Sequence, residues 1–228
     1  MVYKNEHTNK ISFPLGGIGS GCIGIAGNGQ LIDWEIFNRP NKFSENLRTH
    51  FAVRCFKDGI IQDARVLVSD IKNEIVRRRH GLSQSSLNGF PHFKTNDFTG
   101  EFPVAKLRFY DLSFPGKVTL KAFNPLIPLD SDNSSIPAAF FEMEFKNDND
   151  CVMEYEAALS VASPFGSSIN EAFPNGVYMY DEKNKENNMT VMCDGGTVST
   201  SDYWYRGWWN SFYQDNLRTY WNDFSQGR

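Results

Sequence analysis

The strongest constraint on this chain is a two-residue period of apolar side chains that returns in segment after segment. Phe141, Met143 and Phe145 alternate with Glu142, Glu144 and Lys146, and Val118, Leu120 and Ala122 alternate with polar neighbours. A strand sends successive side chains to opposite faces, so this pattern gives each segment one dry face and one wet face. Phe51, Val53 and Cys55 repeat it, as do Ile32, Trp34 and Ile36 against Asp33 and Glu35. Prolines 91, 103, 115, 125, 128, 137, 164 and 174 fall between the apolar runs, where a missing amide donor breaks no ladder. The chain shows no strand–helix alternation of the kind a parallel sheet requires. The expectation is an all-β fold, an antiparallel β-sandwich, in a single domain spanning residues 1–228.

Turn residues predict some of the pairings. Asp58-Gly59 separates the run at 51–55 from the apolar run at 66–68, which reads as a hairpin. The polar stretch 147–150 leads into Met153, Tyr155, Ala157, Leu159 and Val161, and a second hairpin is expected between this strand and 141–145. The segment 203–224 differs in kind. Trp204, Trp208 and Phe212 are spaced by four, and Leu217, Tyr220, Trp221 and Phe224 continue that face, so this aromatic-rich C-terminal segment is expected to be partly helical.

Composition narrows the function. A net charge of −4 supplies no basic field, which argues against nucleic acid and anionic membrane as partners and favours a neutral or mildly polar ligand. Cys22, Cys55, Cys151 and Cys193 stand far apart, with no histidine at metal-ligand spacing, and read as free thiols. No metal or cofactor is expected. The first ten residues hold no apolar core of signal-peptide length, and no stretch approaches a membrane span, so the expected location is cytoplasmic. His7, His50, His80 and His92 lie scattered, none in a nucleophile-elbow context, and the positive run Arg77 to His80 reads as a solvated strand or loop.

Two motifs invite a functional reading. Gly19, Gly21 and Gly24 match the spacing of a dinucleotide-binding loop, but that mechanism needs a helix N-terminus after the glycines to hold a pyrophosphate. Here Asn28-Gly29 predicts a hairpin instead, so the glycines are read as letting backbone approach backbone, or a ligand, closely. Asp33 and Glu35 are a carboxylate pair at two-residue spacing. Side chains at that spacing point the same way, whereas the two carboxylates of a glycosidase approach the scissile bond from different sides. A solvated or turn-capping role is favoured for them. Asn38 and Arg39 offer donors to a sugar or to a neighbouring domain. Trp208, Trp209 and their neighbours suit sugar stacking as well as packing or domain docking, with packing favoured.

The stretches PLGGIGSGCIG and LIDWEIFNRP, followed by FPVAKLRFYDLSFPGKVTLKAFNPLIPLDSDNSSIPAAFFEMEFKN, resemble the amino-terminal domain of glycoside hydrolase family 116. That family includes the non-lysosomal glucosylceramidases and bacterial β-glucosidases. The likeness runs over roughly residues 11 to 165 and is looser beyond. It implies a supersandwich-like β domain packed against a carboxy-terminal (α/α)6 barrel, and retaining hydrolysis of β-glucosides or related glycosides. It also implies that both catalytic carboxylates belong to the barrel. No catalytic residue is therefore carried over to this chain, and a β-glucoside substrate is expected to meet it only through that barrel. Further strands are expected after the aromatic segment, which makes the domain truncated at its C-terminal end. Asp33, Trp34, Asn38, Arg39, Trp208 and Trp209 are the candidate domain-interface or sugar-rim residues. The alternative is a stand-alone carbohydrate-binding β-sandwich module.

Overall fold

Alternating side chains become strands wherever one face can be buried, and most of the chain does so. The computed structural model describes residues 1–8, 10–46, 48–70, 87, 89–203 and 216–227. The chain divides into two compact units, Met1–Val161 and Ala162–Arg228. In chain order the strands of the first unit are β1 (Val2–Lys4), β2 (Ser12–Leu15), β3 (Cys22–Ala26), β4 (Leu31–Glu35), β5 (His50–Lys57), β6 (Ile60–Ser69), β7 (His92–Phe93), β8 (Thr95–Glu101), β9 (Val104–Tyr110), β10 (Lys117–Phe123), β11 (Phe140–Lys146) and β12 (Glu154–Ser160). They form a five-stranded sheet β1-β8-β9-β10-β11, a four-stranded sheet β12-β5-β6-β7 and a three-stranded sheet β2-β3-β4. Among the described residues of this unit, every strand pairing is antiparallel except β6 with β7.

The expected all-β sandwich is present. Val118, Leu120 and Ala122 of β10 and Ala105, Leu107 and Phe109 of β9 are buried, and so are Phe51, Val53, Val66 and Phe93 of the four-stranded sheet. Rings bridge the two layers. Phe93 lies 5.5 Å from Phe109 and Phe51 lies 5.1 Å from Phe141 between centroids, the range of favourable tilted contacts. The hairpin at Asp58-Gly59 also forms, with both residues at positive φ (50° and 74°) as a tight primed turn requires.

The second expected hairpin does not form. β11 pairs with β10, and β12 pairs with β5 in the other sheet, so residues 147–153 carry the chain from one layer to the next. The dry faces of the two strands meet instead of their edges, and Phe145 stacks on Tyr155 at 5.0 Å. Half-burying the apolar side chains of both strands against the opposite layer outweighs a short local connection.

A turn made of glycines seats the third sheet. The expected hairpin β3–β4 closes through Gly29 N donating to Ala26 O (3.0 Å) and Ala26 N to Gln30 O (2.8 Å). Ser69 N donates to Asn28 O at 3.0 Å, and Asn96 Nδ2 to Gly27 O at 2.7 Å. Gly29 has φ +101°, and a Cβ there would stand 2.7 Å from Leu67 O and 2.9 Å from the Phe109 ring. No other residue fits.

The buried cation Arg65 ties the two large sheets. Its guanidinium donates to Asp63 (2.7 Å), Asp111 and Ser113 Oγ (2.7 Å), and the rings of Phe93 and Phe114 lie 5.4 Å and 5.8 Å from its central carbon. Asp111, Ser113 and Phe114 belong to the β9–β10 connection, whereas Arg65 belongs to β6. Burial pushes the Asp111 carboxyl upward, but hydrogen bonds from Ser113 N, Ser113 Oγ and Arg65 outweigh it and hold its pKa at about 2.

The second unit carries β13 (Ser168–Phe173), β14 (Gly176–Asp181) and β15 (Asn188–Met192) as an antiparallel meander, then a helix over Asn216–Ser225. That helix meets the expectation of helical structure near the C-terminus. Trp221 is buried on it and lies 5.8 Å from Phe224, while Tyr203 at the head of the aromatic segment is exposed. Trp204, Trp208, Trp209 and Phe212 lie outside the described residues, as does the run Arg77 to His80. All four cysteines are free, as expected.

Two outcomes follow. Replacing Arg65 with Met leaves Asp63 and Asp111 without their cation and should cost about 3–5 kcal/mol in urea unfolding; Arg65→Lys, which keeps the charge and loses the planar fork, should cost less. The second concerns His50, 3% exposed at the start of β5, where burial lowers its pKa from 6.5 to about 4. The unfolded chain binds a proton there below pH 6.5 that the folded chain refuses until about pH 4. Stability should therefore fall across that window by up to about 3 kcal/mol, and His50→Leu should flatten this part of the pH profile.

Candidate functional site

The glycine-rich segment ahead of β3 is built for backbone contact. Asn124 clasps it with both ends of one amide, donating to Pro14 O (2.9 Å) and accepting from Gly16 N (2.5 Å). Ile18 N donates to Ser134 O at 2.8 Å, and a Cβ at Gly17 would run into the backbone of Ser135 and Ile136. A strand, β3, follows these glycines. With no helix N-terminus at that place, the dinucleotide spacing carries none of the geometry that would hold a pyrophosphate. Of the two uses expected for the glycines, the structure shows backbone against backbone.

Beyond β3, β4 departs from simple alternation. Cys22 pairs with Glu35 and Gly24 with Ile32, so two residues of β4 oppose one of β3, and Asp33 occupies this bulge at φ +51°. Asp33 and Trp34 are consequently both buried, at 4% and 6% exposure. The solvated option expected for Asp33 is thus replaced by a buried one, while the turn-capping option is realised. Its carboxylate accepts from Ser12 Oγ (2.7 Å) and from Phe43 N (2.6 Å). Burial works against ionisation of Asp33, yet those two bonds and the Lys42 ammonium at 3.6 Å outweigh it, so its pKa lies below the ordinary carboxylate value.

The same strand holds the rest of the following loop. Glu35 accepts from Lys42 Nζ (2.6 Å) and Asn41 N (3.1 Å), and these bonds lower its pKa as well. Asn41 Nδ2 donates to Trp34 O (3.0 Å), Trp34 N to Ser44 Oγ (2.8 Å) and Asp33 N to Ser44 O (2.9 Å). Residues 41–44 are thus fastened to β4, while Phe37, Asn38 and Arg39 stand exposed at the head of the loop. Asn38 and Phe43 take φ of +50° and +61°.

This arrangement excludes one chemistry for the pair. A retaining glycosidase needs a protonated acid and an ionised nucleophile flanking an open cleft. Asp33 and Glu35 both have lowered pKa values, share Lys42 as counter-ion, and are saturated by their own chain. They organise a loop. Sequence reasoning singled out Asp33, Trp34, Asn38 and Arg39 in this region; it did not single out Ser12, Lys42, Asn124 and Phe43, which the hydrogen bonds bring in. An isolated aromatic after the polar run Asn41-Lys42 was the one available signal for Phe43.

Residues 12–225 match the family model described as beta-glucosidase 2, glycosyl-hydrolase family 116 N-term. The chain belongs to this family. The resemblance carried by PLGGIGSGCIG and LIDWEIFNRP is therefore real, and those two stretches are the clasped glycine segment and the β4 loop. A family 116 N-terminal domain implies a catalytic domain elsewhere in the same protein. Among the described residues no helix is long and apolar enough to cross a membrane.

Asp33→Ala removes the acceptor of the Ser12 hydroxyl and of a loop amide, and should destabilise the protein by about 1–3 kcal/mol. The Phe43 amide should exchange with deuterium at least tenfold faster. In the native protein the Asp33 contribution is present above the ordinary carboxylate pKa and is lost as pH falls through its lowered one, so acid should release the same amides.

Proposed function

We propose that this chain is the non-catalytic β-sandwich part of a β-glucosidase, and that it supports and orients an (α/α)6 catalytic domain carrying the nucleophile and the acid/base carboxylate. The observation that carries the reading is the match to the family 116 N-terminal domain over residues 12–225. The saturated state of Asp33 and Glu35 supports it, because the most conspicuous carboxylate pair of the sequence is used to hold a loop. In this reading Asn38 and Arg39 are interface or rim residues, Asp33 positions their loop, and Trp34 is an internal support. Trp208 and Trp209 keep the same interface or rim assignment. The substrate is a β-glucoside, reached through the catalytic domain. Four free thiols suit a reducing cytoplasm.

Hydrolysis of an aryl β-glucoside decides the matter. The chain expressed alone should show no turnover above the uncatalysed rate, while the protein that includes the catalytic domain should be active. Turnover by the chain alone would overturn the reading. Calorimetry of the chain against β-gluco-oligosaccharides should give no binding heat; saturable heat would assign it to the carbohydrate-binding class instead.

A further inference from the structure

Single exposed apolar side chains on relaxed backbone are ordinary features of a surface. Phe43 differs from these: like Leu129, which is 108% exposed at φ +69°, it sits on left-handed backbone, and its amide is in addition held by the buried carboxylate of Asp33. The Phe43 side chain is 93% exposed while its backbone sits at φ +61°, a conformation that costs a non-glycine residue about 1–2 kcal/mol. Such strain persists only where surrounding contacts over-determine it, and here they do. Asp33, itself buried, accepts the Phe43 amide; Asn41 and Lys42 just before it are held by Trp34 O and Glu35; Ser44 just after it bonds both Trp34 N and Asp33 N. The result is a rigid loop whose most exposed aromatic side chain is held out in water. Phe37, 40% exposed, and the exposed Arg39 stand on the same loop.

We propose that residues 37–43 form a preformed docking finger, with Phe43 its anchor, that enters an apolar pocket on the catalytic domain of the same protein. This rests on the function proposed above and names the contact it uses. The occupant follows from two observations. The chain is the N-terminal domain of a larger glycosidase, so its catalytic domain is tethered to it at high effective concentration. The finger also has the composition of an interface hot spot, an aromatic anchor on the same loop as an exposed arginine, which suits an apolar pocket with a carboxylate at its lip. Holding the anchor rigid before docking removes the cost of ordering a loop at the moment of contact.

The test uses the full-length protein with the photo-reactive p-benzoylphenylalanine in place of Phe43 and, separately, in place of Leu112 and Leu129, each 108% exposed. After irradiation, position 43 should crosslink to peptides of the catalytic domain with at least tenfold the yield of the other two. Crosslinks to that domain from Leu112 or Leu129 and none from position 43 would overturn the finger while leaving the supporting role intact. Crosslinks from position 43 to a second copy of the protein would also overturn it. The supporting role fails on a different readout, glucoside hydrolysis by the isolated chain. As a second measurement, Phe43→Ser should lower the melting midpoint of the full-length protein by several degrees and Leu112→Ser should not; equal midpoints would count against the finger.

Discussion

The seating of a hairpin turn between two sheets governs the geometry of everything that follows it. Gly29 approaches Leu67 O and the Phe109 ring so closely that a methyl group has no room, and its φ of +101° is unsuited to other residues. Asn28 and Gly27 then offer their carbonyls to Ser69 and Asn96, groups of the two opposing layers. Strand β4 starts two residues after Gly29 and is therefore aimed by the sandwich itself. Whatever the loop after β4 does, it does from a fixed base.

The same device recurs across the first unit. Hydrophobic burial is large but non-directional, so it brings sheets together without choosing how they slide. Direction comes from buried polar side chains, each reaching a segment distant in sequence. Asn96 holds Gly27, Asn124 holds Pro14 and Gly16, Arg65 holds Asp111 and Ser113, and Asp33 holds Ser12 and Phe43. Each such bond contributes only about 1 kcal/mol net, but losing one partner strands a desolvated group at a higher cost. Slippage is therefore penalised more strongly than correct placement is rewarded.

This division also explains which features were legible in the sequence. Alternation at 118–122 and 141–145 announced strands because the period of a strand is a local property. The hairpins at Asn28-Gly29 and Asp58-Gly59 were legible for the same reason, since a turn needs only its own residues. The partner of β11 was not. Its choice of β10 over β12 depends on faces meeting across the core, seen in the Phe145–Tyr155 stack, and no local pattern encodes that. The site followed the same rule. The sequence LIDWEIF reads as a clean strand, and the bulge that turns Asp33 inward becomes apparent only when Ser12 and Phe43 are brought beside it. The glycosidase family was legible through ordered motifs, yet the role of the acidic pair within them came from its hydrogen bonds.

The loop after β4 carries strain that the proposed docking role would put to use. The left-handed backbone at Phe43 raises the free energy of the folded chain while its ring gains nothing from burial, and a glycine at that position would remove the strain. Several hydrogen bonds from β4 offset the backbone term, so the chain stays folded with the ring displayed. A flexible loop presenting the same ring would lose its freedom on contact, at about 1 kcal/mol or more per ordered residue. In this chain that loss is taken during folding, when the hydrogen bonds to Asp33, Trp34 and Glu35 form. The contact itself can then be small and still specific. On the function proposed above, Asp33 and Glu35 would serve catalysis at one remove, by fixing the loop through which the sandwich would grip its catalytic partner.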